Sequence, residues 1–75
     1  MSEAELKAVA DAADIIVNGY AFSVSEDCIR VLNLGSPSRA AVLSSTGEVL
    51  ETSMDDIELS IVNDYFRRNR EFLAA

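Results

Sequence analysis

The last third of the chain, residues 52–73, constrains the fold most, because it reads as one amphipathic helix with both ends marked. Asp55 suits the N-cap and Glu58 stands three residues later, the spacing of a capping box. Met54 before the cap and Leu59 after it make a hydrophobic staple. Asp55, Asp56 and Glu58 crowd the start and Arg67, Arg68 and Arg70 the end, the order that the helix dipole favours. Caps and dipole suffice to explain these charges. The apolar positions ask for more. Ile57, Ile61, Tyr65 and Phe72 form one stripe, and Leu59, Val62, Phe66 and Leu73 form a second beside it. Together they cover roughly half the helix circumference, wider than a helix needs to sit on one sheet face. One stripe is expected to lie on a sheet and the other to meet an N-terminal helix or a second subunit. Leu59, Val62, Phe66 and Leu73 are the candidate interface.

Upstream, Ser2-Glu-Ala-Glu5 repeats the capping-box pattern, and Leu6, Val9, Ala10 and Ala13 recur at helical spacing, which predicts a short helix over 2–13. Residues 14–24 admit two readings. Asn18-Gly19 fits a helix C-terminus with glycine in the left-handed position, or a type I′ hairpin turn between two β-rich runs. Register favours the hairpin: Val17 opposite Tyr20 and Ile15 opposite Phe22 would share one face with Val24. Residues 28–34, 40–44 and 48–52 read as three further strands, separated by the loop Gly35-Ser-Pro-Ser38 and the turn Ser45-Thr-Gly47. Connections this short force neighbouring strands to pair antiparallel. The expected architecture is α+β: an antiparallel β-meander of four to five strands, a short N-terminal helix, and a long C-terminal helix packed on one sheet face. It forms a single small domain over residues 1–75.

A chain of 75 residues buries only about 60–65% of the surface its unfolded form exposes, so its own core gives modest stability. One cysteine excludes an internal disulfide, and the absence of histidine removes the common zinc spacings. Yet 49% of the residues are hydrophobic, generous for so little interior. Association resolves the mismatch, so a homo-oligomer or a protein partner is expected. The net charge of −7 disfavours direct nucleic-acid binding, which needs a basic surface. It suits solubility or a basic protein partner. An acidic start with no basic region ahead of an apolar run reads as lacking a signal peptide, and no apolar run reaches membrane-spanning length. With a single thiol, the expected location is the cytoplasm.

Without histidine the commonest general base is gone, and Ser–His and Cys–His arrangements are impossible within one chain. Cys28 sits in a predicted strand among apolar neighbours and reads as a buried inert thiol. The carboxylates around Glu51 to Glu58 lack the alternating ligands and central glycine of a calcium loop. Residues 35–39 lack the spacing of a P-loop and precede a strand, so an ordinary turn is expected there. Tyr65-Phe-Arg-Arg-Asn-Arg70 interleaves aromatics with bases, but its aromatics fall on the apolar stripes. Its arginines suit the helix end, with Arg67 and Arg70 able to pair with Asp64, Asp14 or a partner's carboxylates. No enzyme activity, cofactor or metal site is expected.

Val17-Asn-Gly-Tyr-Ala-Phe22, Ile29-Arg-Val-Leu-Asn-Leu34 and Glu51-Thr-Ser-Met-Asp-Asp-Ile-Glu58 are similar to small uncharacterised proteins of Gram-positive gut bacteria and their mobile elements. The similarity spans residues 15–73 and leaves the N-terminal helix as an addition. It implies no activity, cofactor or functional residue. Two functional expectations stand: a non-enzymatic interaction or self-associating module, and a regulator or counter-defence factor that binds a basic, nucleic-acid-handling protein through an acidic surface.

Overall fold

The computed structural model describes residues 2–73. In chain order the elements are α1 (Glu3–Ala12), β1 (Ile15–Val17), β2 (Tyr20–Val24), β3 (Cys28–Asn33), β4 (Ala40–Ser44), β5 (Val49–Thr52) and α2 (Asp56–Leu73). The strands form one sheet in the order β1-β2-β3-β4-β5, each antiparallel to its neighbours. This is the expected α+β meander, with five strands. Residues 14–19 resolve as the hairpin. Asn18 (φ 46°) and Gly19 (φ 83°) both take left-handed conformations, as a type I′ turn requires, and Val17 faces Tyr20 while Ile15 faces Phe22.

Period-two alternation assigns the sheet its two faces. Ile15, Phe22, Val31 and Ala41 stand in one cross-strand row, with Val24, Ile29 and Leu43 in another on the same face. That face carries the core: Phe22, Ile29, Val31, Ala41 and Leu43 from the strands pack with Met54, Val62, Phe66 and Leu73. Phe22, Phe66, Leu43, Val31 and Val62 are wholly enclosed, each contributing roughly 1.5–3 kcal/mol by burial. Gly47 in the β4–β5 turn has φ +95°, and a Cβ there would lie 2.9 Å from the Phe66 ring. The turn therefore needs glycine for its conformation and for the close approach of α2.

The opposite face is only partly covered. Val9 and Ala12 of α1 line an open groove of about 620 Å³ together with Ala21, Arg30, Leu32 and Val42. No residue of α1 is buried. The two helices thus lie on opposite faces of the sheet, and α1 is not the element that α2's spare stripe meets.

Strand ends differ from expectation by single residues, for local reasons. The Asn33 side-chain oxygen accepts the amides of Gly35 and Ser36 (3.0 and 3.1 Å), turning the chain before Leu34 can extend β3. In β5 the pairing passes from Val42–Glu51 to Leu43–Val49, which leaves Leu50 as an extra bulged residue. All four residues of this edge strand are exposed.

Candidate functional site

The start of α2 holds the most polar arrangement of the interior. Asp55 caps the helix as expected, its Oδ1 accepting the Glu58 amide at 2.8 Å. The Glu58 side chain does something else. It is 8% exposed, the sole buried charged residue among the described residues. Its Oε2 accepts hydrogen bonds from the Tyr20 hydroxyl (2.8 Å) and the Asn33 amide (2.9 Å), and its Oε1 from Arg39 Nη1 (3.2 Å). Arg39 also lies 3.6 Å from Asp55. One carboxylate therefore ties β2, the end of β3, the β3–β4 loop and α2 together.

Each donor is held by its own surroundings. Tyr20 packs against Tyr65, ring centroids 6.0 Å apart, and the Tyr65 hydroxyl in turn accepts from Asn18 at 3.0 Å. Arg39 is positioned by the junction beside it: the Ser53 hydroxyl donates to the Ser38 carbonyl (2.7 Å) and accepts the Ala40 amide (3.0 Å).

The electrostatics follow from this satisfaction. The Tyr20 hydroxyl's hydrogen bond, joined by Asn33 and Arg39, holds Glu58 below the ordinary carboxylate value against the opposing effect of burial. Burial, then the hydrogen bond to Glu58 and its negative charge, push Tyr20 up to about 12. The hydrogen bond and charge of Glu58 raise Arg39 further above its already high value. Every group is thus locked in the protonation state it has at neutral pH, whereas a general acid or base needs a value brought near the working pH. The network is built to hold elements together.

This corrects the expectation that caps and dipole explain Glu58. The missed signal is visible in the spacing: Glu58, Val62 and Phe66 follow one another at i, i+4 and i+8, so an acidic residue stands in the core stripe. Nothing in the β3–β4 loop marks Arg39 as its partner, because their meeting depends on the register of β3 and β4.

The four candidate interface residues are drawn into the chain's own core. Val62, Phe66 and Leu73 are buried, and Leu59 is half-buried against them. The free stripe is the other one. Ile57 is 75% exposed, Phe72 67% and Ile61 40%. Tyr65 leaves that stripe by turning toward Tyr20 and Asn18.

The arginines also settle differently from expectation. Arg68, not Arg67 or Arg70, pairs with Asp64 at 3.2 Å, the i,i+4 spacing. Arg70 lies over the Phe66 ring at 5.9 Å. Asp14 accepts the Val24 amide at 2.7 Å and helps to close the β1–β2 hairpin. Cys28 is half-buried rather than enclosed, since it falls on the partly covered sheet face.

Residues 3–73 match a family model described as a family of unknown function (DUF7723), and the chain belongs to that family. The match takes in α1, so the N-terminal helix is part of the family's extent rather than an addition to it. No curated protein and no solved structure matches the chain.

Proposed function

We propose that this protein is a small non-enzymatic interaction module that associates through the outer stripe of α2. The observation that carries the reading is the division of that helix. One stripe closes the core, while Ile57, Ile61 and Phe72 present large apolar side chains to solvent on a neighbouring stripe. Exposed apolar groups collected on one stripe of a small domain mark contact surfaces more often than isolated ones do. The Glu58 network supports the same reading. Its groups are mutually satisfied and shifted away from neutrality, which suits a rigid scaffold and not acid–base work.

The test compares the wild type with the double variant Ile57→Lys/Phe72→Lys by light scattering and by capture of binding proteins from a bacterial extract. Both substitutions sit at exposed positions, so circular dichroism should be unchanged. Loss of association in the variant supports the reading. A monomeric wild type that captures the same proteins as the variant would sink it.

A second reading rests on charge. Ion pairs among the described residues engage Asp55, Glu58 and Asp64, so the other ten of the thirteen side-chain carboxylates have no cationic partner among the described residues. A regulator or counter-defence factor that docks a basic, nucleic-acid-handling protein would use such a surface, and its affinity would fall steeply as salt rises. A cytoplasmic setting belongs to both readings and agrees with a lone thiol that has no disulfide partner.

A further inference from the structure

We infer that the occupant of the α2 outer stripe is a second copy of this chain, with the two α2 helices antiparallel across a two-fold axis between Asp64 and Tyr65. The inference deepens the interaction reading above and rests on it. Ile57, Ile61, Arg68 and Phe72 fall within about 60° of one another around the helix, at roughly 100° per residue. Ile57 and Phe72 lie about 22 Å apart along the axis, at about 1.5 Å per residue. Their midpoint falls between Asp64 and Tyr65.

An antiparallel partner centred there places each Ile57 on the partner's Phe72, the two most exposed large apolar residues among the described residues. It also places each Ile61 beside the partner's Arg68, whose aliphatic stem can cover it. The charges select the direction. Asp64 and Arg68 form an ion pair at 3.2 Å near the middle of the stripe, with side chains 45% and 73% exposed. Antiparallel pairing sets each Asp64 within reach of the partner's Arg68 and closes a ring of four alternating charges. Parallel pairing would set Asp64 against Asp64 and Arg68 against Arg68. The helix dipoles agree, since the acidic first turn of one helix then lies beside the arginine-bearing end of the other.

The area bounds the strength. An 18-residue helix presents a face about 27 Å long and roughly 10 Å wide, a few hundred Å² per partner, where a standard stable interface buries about 800 Å². The pairing is therefore weak and concentration-dependent, with a Kd of about 10 µM to about 1 mM. Two chains of charge −7 also repel through every carboxylate they carry, whereas only a few charges attract across the stripe. Raising ionic strength from about 0.02 M to about 0.3 M should tighten the dimer by about tenfold.

Sedimentation velocity from about 10 µM to about 1 mM, at both salt levels, reads the association. Disulfide trapping reads the direction: Ile57→Cys and Phe72→Cys variants, each carrying Cys28→Ser, are mixed and oxidised. The expected result is a salt-strengthened dimer and a mixed 57–72 disulfide formed at least about fivefold over the 57–57 and 72–72 products. A monomer throughout the range, or predominant 57–57 and 72–72 products, overturns the pairing. If the wild type stays monomeric while Ile57→Lys/Phe72→Lys loses a captured protein, the second copy is excluded and the interaction reading survives. If a dimer forms that Ile57→Lys/Phe72→Lys leaves intact, and the variant captures the same proteins as the wild type, both fail.

Discussion

The two helices open with the same signal and come to different ends. At α1, Ser2 accepts the Glu5 amide at 3.2 Å and its hydroxyl donates to the Glu5 carboxylate at 3.3 Å, so both partners stay within the first turn. At α2, Asp55 caps in the same way, but the glutamate three residues on is taken by Tyr20, Asn33 and Arg39 from the far side of the chain. The first helix buries no residue and the second buries Glu58, Val62, Phe66 and Leu73. A capping box therefore states where a helix begins and nothing about what the helix holds. That depends on whether the third helical position points into a core.

The contrast can be broken by substitution, most strongly at the apolar anchors. Phe66→Ala should cost about 3–4 kcal/mol, against roughly 4–11 kcal/mol of total stability for a chain this long, so urea denaturation should find from about a quarter to all of that stability gone. Leu6→Ala in α1, at a half-buried position, should cost about 1 kcal/mol or less. If the two costs were equal, α1 would be as deeply committed to the fold as α2. For the same reason Val62→Asp and Phe66→Asp cannot probe assembly, because they would unfold the protein that assembles.

The glutamates make the next comparison. Glu58→Ala strands three donors and should cost about 2 kcal/mol, kept modest because the Arg39 side chain is 47% exposed. Glu5→Ala removes only a surface contact and should cost about 0.5 kcal/mol or less. Gly47→Ala strains a positive φ and pushes on the Phe66 ring, so thermal denaturation should register a loss of about 1–2 kcal/mol.

Acid and base titrations sharpen the same point. Glu58 binds its proton less tightly when folded than the ordinary value of 4.5, so its stabilisation is complete above that pH and lost as pH falls through the folded value. The wild type's margin over Glu58→Gln should be constant near neutrality and narrow below about pH 4.5. An unchanged margin at pH 3 would mean that the ionised carboxylate contributes nothing. Tyr20 has the opposite sign. Raised from 10.0 to about 12, it stabilises fully below pH 10 and ceases to do so as the pH climbs through 12, an effect that Tyr20→Phe should abolish. Arg68→Ala, like Glu5→Ala, belongs among the smallest effects, about 0.3–0.5 kcal/mol for one exposed i,i+4 pair.

Much of the architecture was legible beforehand because its signals are local. The capping residues of both helices, the Asn18-Gly19 turn with its Val17–Tyr20 register, and the span of β4 each depend on a few consecutive residues. The interior of the candidate site was less legible. Glu58, Asn33, Arg39 and Tyr20 are spread over 39 positions, and their meeting needs three strand registers and the seat of α2 to be right together.

The sequence by itself determined that α2 carries two apolar stripes on one helix, since their spacing is a property of the helical repeat. Which stripe faces inward was decided only by the tertiary structure. The sheet offers one apolar face of limited width, with Tyr20 and Asn33 at its edge as donors, and α2 rotates until Glu58 reaches them while Val62 and Phe66 fill the centre. A buried carboxylate without partners is expensive, so the seat of the helix must give Glu58 its donors and bury the apolar stripe together. Ile57, Ile61 and Phe72 are left outside as a consequence.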